Sequence, residues 1–319
     1  MKIVNPAAFV LVCLLARAAA KKDFTPPQHG SGNGTEPIKT AANFDASGVK
    51  MTVCPSGDCA TGKYMSLSVT SITELDSKGV QVVSVDKIKP KESDWTAITT
   101  DEVDGVSVSS TTFVSALTVG SGNVPVGFNL TASIYQGNAT VEYGDQNLTV
   151  PAGALKFTVD INGWKFANTT NTLTLAVQLD AKGPKGAALG KPEKKSKGDG
   201  NSKPDTPVER VEMGESMFMD APTYAILDGV QTNLVNSSVV VSGSGTSFEW
   251  VFSSFTKTLH YDPVLGEDTS TTTTTTSSGS TSESSSGDAT KAPSASSASM
   301  LSLSGLAAAG LAALALGFF

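Results

Sequence analysis

The residues able to do chemistry in this sequence are few and far apart, with three cysteines and two histidines in 319 residues. Cys13 lies in an N-terminal apolar run. The other two form Cys54-Pro-Ser-Gly-Asp-Cys59, a pair bracketing the turn formers Pro55 and Gly57. In an oxidising compartment such a pair is expected to close a disulfide, whose short loop makes its chain-entropy contribution modest. Zinc is the weaker rival reading, because a structural site wants four Cys or His ligands and His29 and His260 lie far away in sequence.

Catalysis finds little support. No G-x-S-x-G elbow, phosphate-binding loop or dinucleotide fingerprint occurs, and His260 falls at the end of an expected strand. Glycoside hydrolysis needs only two carboxylates, which distant strands supply without a local signature. Asp160, Glu212, Glu249 and Asp262 are the candidates, set against the plainer reading of charges on outward strand faces. No cofactor or metal site is indicated, and the expectation is a protein that is not an enzyme.

Six N-x-[ST] acceptors are more specific: Asn33, Asn129, Asn138, Asn147, Asn168 and Asn236. They matter only in a chain that enters the secretory pathway, where N-glycosylation would place them on the surface. Residues 1–20 meet that condition: Lys2, the apolar run Ala7 to Leu15 and the small residues Ala16 to Ala20 read as a cleaved signal peptide. Nine apolar residues at ~1.5 Å each cover only about half of a ~30 Å hydrocarbon core. At the other end Leu301 to Phe319 is apolar or small, without charge or basic flank, behind the polar spacer Thr290 to Ser299. This is the pattern of a GPI-attachment signal, removed as residues 288–319, with Gly287 the expected attachment site and Ser286 and Asp288 the alternatives. A C-terminal span without a cytoplasmic part is the competing reading.

The net charge of the full chain, −7, argues against nucleic acid as a partner. Residues 21–47, rich in Pro, Gly, Thr and Asn, read as a disordered leader, and residues 267–287 as a Ser/Thr-rich, O-glycosylated stalk. Residues 48–266 read as one folded unit of strands. Leu155, Phe157, Val159 and Ile161 alternate with Lys156, Thr158 and Asp160, and Leu173, Leu175, Val177 and Leu179 alternate with Thr174, Ala176 and Gln178. That period of two predicts half-buried strands, with Leu175 in the core and Thr174 on a solvated face. Val126 to Ile134 and Phe248 to Phe252 repeat the pattern, and the sequon asparagines Asn129 and Asn147 fall on the outward phase. The fold class expected is all-β, a large antiparallel β-sandwich. Lys182 to Pro204, with seven lysines, is expected to be a long exposed loop, either a solvated insertion or a contact for anionic polysaccharide with a processing site at Lys194-Lys195.

Two stretches carry a family resemblance. Ile161-Asn162-Gly163-Trp164-Lys165-Phe166 followed by Asn171-Thr172-Leu173-Thr174-Leu175, and Phe252-Ser253-Ser254-Phe255 through Leu259-His260-Tyr261-Asp262-Pro263, resemble the I-x-x-W-P-F…N-x-L-x-L and F-P-x-F…L-x-Y-D-P segments of the ComC "supersandwich" domain of social-amoeba surface proteins. Lys165 and Ser253 stand where that family has proline. The resemblance implies a large extracellular sandwich and brings no catalytic residues. Trp164, Phe166, Trp250 and Phe255 are expected in core and corner packing rather than on a sugar-stacking platform.

The function expected is a GPI-anchored cell-surface glycoprotein, a non-enzymatic adhesion, recognition or wall-associated module on the outer face of the plasma membrane. Its partners would be the GPI lipid in the outer leaflet and an extracellular carbohydrate or protein ligand. The alternatives are a surface-anchored carbohydrate-active enzyme and a glycan-shielding coat protein. If the cysteine reading is right, neither Cys54 nor Cys59 takes up an alkylating agent before reduction, as read by mass spectrometry. Two alkyl groups on the unreduced protein would contradict it.

Overall fold

A computed structural model describes residues 22–24, 39–45, 49–86, 88, 95–120, 122–195, 208–242 and 245–268. The expected signal peptide, the stalk beyond residue 268 and the GPI-attachment signal lie outside the described residues, and with them Asn33, Ser286, Gly287 and Asp288; Glu267, placed in the stalk by sequence, instead ends β21. Strands in the described part are β1 (Lys22–Phe24), β2 (Ala41–Asp45), β3 (Lys50–Cys54), β4 (Tyr64–Leu75), β5 (Gln81–Val85), β6 (Thr99–Val103) and β7 (Val106–Val119). Then follow β8 (Val124–Tyr135), β9 (Ala139–Tyr143), β10 (Gln146–Val150), β11 (Leu155–Asn162), β12 (Thr172–Lys182), β13 (Glu193–Lys195) and β14 (Val208–Gly214). The last are β15 (Met217–Pro222), β16 (Tyr224–Leu227), β17 (Val230–Asn233), β18 (Asn236–Ser242), β19 (Gly245–Ser253), β20 (Thr258–Tyr261) and β21 (Val264–Glu267).

Two large antiparallel sheets result. The first runs β1-β2-β3-β4-β12-β19-β18, with β5 joining β4 at its far end. The second is centred on β11, which pairs with β8 along one side, leading on to β7 and β6. Along its other side β20 and β21 share the edge and fork, β20 continuing to β16 and β17, β21 to β15, β14 and β13. The alternation in β11 and β12 is the reason these strands are central. Leu155, Phe157, Val159, Ile161, Leu173, Leu175, Val177 and Leu179 are all fully buried, in one hydrophobic core that also takes Trp250, Phe128 and Phe248. The fold is therefore all-β and sandwich-like, as the periodicity predicts.

Three expectations need correction. The leader of residues 21–47 is not wholly unstructured, since β1 and β2 lie within it and Phe24, Ala42 and Phe44 are buried in the core. Their runs are too short to show a period against polar surroundings. Thr174 does point away from Leu175, yet only 9% of it is exposed. It sits in an interior strand between the half-buried cross-strand neighbours Thr73 and Val251, and a small side chain there lies below their level. Finally, residues 182–195 are an ordered extension ending in β13, not a loose loop; residues 196–207 lie outside the described part.

The consequence for stability separates two substitutions at one position. Leu175→Asp places a carboxylate in the core at a cost of several kcal/mol against a typical domain stability of ~5–15 kcal/mol, and is expected to abolish secretion. Thr174→Asp is expected to destabilise as well, whereas Thr174→Val removes a buried hydroxyl that has no hydrogen-bond partner and should be neutral or stabilising by up to about 1 kcal/mol. Urea midpoints of the two Thr174 variants check this, and a tolerated aspartate would show that the face is solvated after all.

Candidate functional site

Polar side chains of β11 point away from the core, and they meet the only short charged network that joins carboxylates singled out by sequence to a histidine among the described residues. Lys156 lies opposite the fork between β20 and β21, where Asp262 and Pro263 interrupt the edge. Its Nζ donates to Asp262 Oδ2 at 2.7 Å and to Thr158 Oγ1 at 3.0 Å. Asp160 pairs directly with His260 across the strands, Oδ1 to Nδ1 at 2.8 Å. His260 Nε2 faces Asp262 Oδ1 at 3.4 Å, a charge contact longer than a good hydrogen bond. The row thus reads lysine, aspartate, histidine, aspartate.

A roof covers one end of the row. The β9–β10 hairpin packs Ala139, Tyr143, Leu148 and Val150 onto Tyr135, Tyr224 and Val264, a second and smaller apolar cluster on the outer side of the β11 sheet. Tyr143 Oη donates to the carbonyls of Tyr224 and His260, both at 3.3 Å, and Tyr224 Oη donates back to the Tyr143 carbonyl at 2.9 Å. The hairpin turn is pressed against β17: Asp145 N donates to Gln231 Oε1 at 2.9 Å, and at Gly144, with φ +63°, a Cβ would meet that same oxygen at 2.5 Å. A side chain there would be strained and would displace the Gln231 and Ile226 side chains.

Electrostatics follow from this packing. Burial works against the charge on His260, but its two carboxylate neighbours outweigh it and raise its pKa to about 9. Burial likewise disfavours ionised Asp262, and His260 and Lys156 together overcome it, lowering the pKa to about 2. Desolvation, with Asp262 nearby, pushes the Tyr135 phenol up to about 12 and that of Tyr143 further still. At neutral pH His260 is therefore a cation facing the anionic Asp262.

Of the carboxylates singled out by sequence, Asp160 and Asp262 come together, with His260 between them. Glu212 lies on β14, and Glu249 is exposed on the outer face of the other sheet, where Ser238 Oγ donates to it at 3.2 Å. Asp262 is 2% exposed, beyond reach of a polymeric substrate. Sequence reasoning missed Lys156, whose partner is 106 residues away, and Tyr143 and Tyr224, which are 81 residues apart and carry no local signature. Among the described residues no group of three or more His, Cys, Asp or Glu side chains is placed to hold a metal. Trp164, Trp250 and Phe255 are buried, with Trp164 6.4 Å and Phe255 5.3 Å from the half-buried Phe166 ring.

Cys54 and Cys59 form a disulfide with Cα atoms 5.2 Å apart, over a turn closed by Gly57 N donating to the Cys54 carbonyl at 2.9 Å. Asn138, Asn147, Asn168 and Asn236 are exposed and Asn129 is half-buried. Asn129 stands beside Asp160 on β8, and Asn138 and Asn147 flank or lie on the roofing hairpin, so three of the five described sequons gather on one side of the fold.

Comparison with known families decides what kind of protein carries this framework. A model described as "Acidic skeletal organic matrix protein" matches residues 58–242, more than half of the chain, from the disulfide turn to the end of β18. The chain belongs to the acidic skeletal organic matrix protein family. A search of curated proteins finds no match. The net charge of −7 and isoelectric point near 4.9 accord with the acidic character in the family's description.

The charged row makes stability depend on pH in a defined direction. His260 has a raised pKa in the fold, so its contribution is complete below the unfolded value near 6.5 and is lost as pH rises through about 9. Asp262 has a lowered one, so its contribution is complete above 3.8 and is lost as pH falls through about 2. The melting temperature is expected to fall between pH 6.5 and 9, and this alkaline limb should flatten in His260→Gln. An unchanged limb in that variant would assign it to other groups.

Proposed function

We propose that this protein is a non-enzymatic, secreted component of an extracellular organic matrix, displayed on the outer face of the plasma membrane by a GPI anchor. The observation that carries the reading is the family match over residues 58–242, which spans both sheets of an all-β, disulfide-bonded fold. A secretory chain with clustered surface sequons, a Ser/Thr-rich stalk and an apolar tail without a basic flank supports the anchored form. Adhesion or recognition within the matrix is the role such a module serves. The resemblance to the ComC supersandwich supports the extracellular reading: its two segments are the crossing from β11 to β12 and the β19–β20 corner.

A carbohydrate-active enzyme is the second reading, and the geometry favours it less. A glycosidase acid must be protonated and face the scissile bond, with its partner carboxylate across an open cleft. Here Asp160 and Asp262 are held by a cationic histidine, and Asp262 is tied to Lys156.

Phosphatidylinositol-specific phospholipase C is expected to release the full-length product from intact cells, and the released chain to end at Gly287 or one of its neighbours Ser286 and Asp288. Retention after treatment, with Phe319 found intact by mass spectrometry, would remove the anchor from the proposal. The matrix role is tested separately, by antibody detection in the organic residue of demineralised skeletal tissue; confinement to the cell-membrane fraction would count against it.

A further inference from the structure

The extension after β12 is a built platform. The Lys182 backbone bridges to Ala188, Gly183 N donates to the Ala187 carbonyl at 2.8 Å and Lys185 N to the Thr61 carbonyl at 2.7 Å. Leu189 packs against the main core, and β13 then adds an edge strand to β14. Between this platform and the β18–β19 end lies an open cleft of about 290 Å³, with Leu189, Met213 and Val241 providing apolar lining, and Lys182 and Lys191 outnumbering the single carboxylate, Asp180, in its charged lining.

The charge of this region is opposite to that of the molecule. Residues 182–195 hold five lysines and one glutamate in a chain whose net charge is −7. Lys194 is engaged by Glu209, and Lys182 lies 3.3 Å from Asp180 in a pair exposed by more than a third on both sides. Such a pair is worth little in water and is readily exchanged for a stronger anion. Lys185 and Lys191 are exposed. Lysine is a compact point charge suited to sulfate or carboxylate groups, and the apolar lining suits the C–H faces of sugar rings.

We infer that this cleft docks a linear polyanionic polysaccharide of the surrounding matrix, one bearing sulfate or uronate groups. The inference rests on the extracellular placement proposed above and adds to it a partner class. Charge complementarity selects the occupant: an acidic protein repels polyanions everywhere except where its lysines gather, so the basic platform sets both the place and the orientation of docking. The anchored backbone reduces the ordering cost on binding, since the lysines already project from a fixed frame. Contact with an anionic membrane surface is the other use of such a patch, and the test tells the two apart.

The full-length protein displayed on cells is probed with fluorescent heparin, with neutral dextran, and with vesicles containing phosphatidylserine. Heparin is expected to bind above the level of cells lacking the protein, to weaken steeply as sodium chloride is raised from 0.05 to 0.3 M, and to lose about tenfold in affinity in Lys185→Glu/Lys191→Glu. Surface staining reports that this variant folds, and Lys78→Glu, outside the platform, should bind as the parent does. Equal heparin binding by the double variant, no binding by the parent, or binding of vesicles in place of heparin would overturn the inference. The anchor is scored by lipase release and the matrix role by tissue detection, so failure here leaves those readings standing.

Discussion

A buried carboxylate holds the two sheets together at the corner where the chain passes between them. The centres of the sheets, β11 and β12, are consecutive strands, and residues 163–171 carry the chain from one to the other. Glu74 of β4, only 1% exposed, reaches into that crossing and accepts from Trp164 Nε1 at 3.1 Å, Ala167 N at 2.8 Å and Asn171 Nδ2 at 2.6 Å. A carboxylate so deeply placed is tolerable only because these donors replace water. In return they fix the indole, the loop backbone and the first residue before β12, and so the phase of both central strands. The later crossing, from β19 to β20, is held in a similar way. Asp228 accepts from the backbone N–H groups of Thr256, Lys257 and Thr258, and these bonds, outweighing desolvation, hold its pKa well below the usual carboxylate range.

In this acidic protein, then, two of the carboxylates that shape the fold, Glu74 and Asp262, are buried and add little to the surface charge, whereas Asp228 holds its crossing from an exposed position. Glu74 and Asp228 bind neutral N–H groups at chain crossings, and Asp262 binds Lys156 where β20 and β21 part. A buried ion pair of that last kind adds little net stability compared with an apolar pair, because desolvation offsets attraction. Removing one partner is costly, however, so the pair penalises any register in which the two fail to meet. Its 106-residue separation makes it a long-range check on how the final strands join β11.

What the sequence made legible were features with a local signature. The alternation in β11 and β12 identified the core strands because one face of each is wholly apolar, and the Cys54–Cys59 spacing identified its disulfide because the turn lies within the pair. Illegible features depended on a third layer or a distant partner. The outward face of β11 was read as solvated, and it would be in a bare sandwich. The β9–β10 hairpin packs on the same outer side, and Lys156 and Thr158 are each only 8% exposed. Glu74 looked like any strand glutamate, since nothing near it in sequence announces Trp164 and Asn171 as its donors. The lysines of residues 182–195 suggested a loose loop, yet lysine is also what natural edge strands carry to discourage further pairing, and β13 is an edge strand.

The same edge logic bears on how the protein behaves among its neighbours in a crowded matrix. Several large apolar residues are exposed near sheet margins, Val80 before β5 and Val82 on it, Val230 and Val235 around β17, and Val240 and Val241 on β18. Unprotected edges of this kind invite strand addition by another copy. Asn236 opens β18, and a glycan there would place a bulky, hydrated group at the start of the exposed edge. The sequons on the hairpin side would do the same for the β11 sheet. Glycans so placed would leave the basic platform at the sandwich end as the surface open to a partner, so that what excludes self-association also directs the molecule toward polyanions.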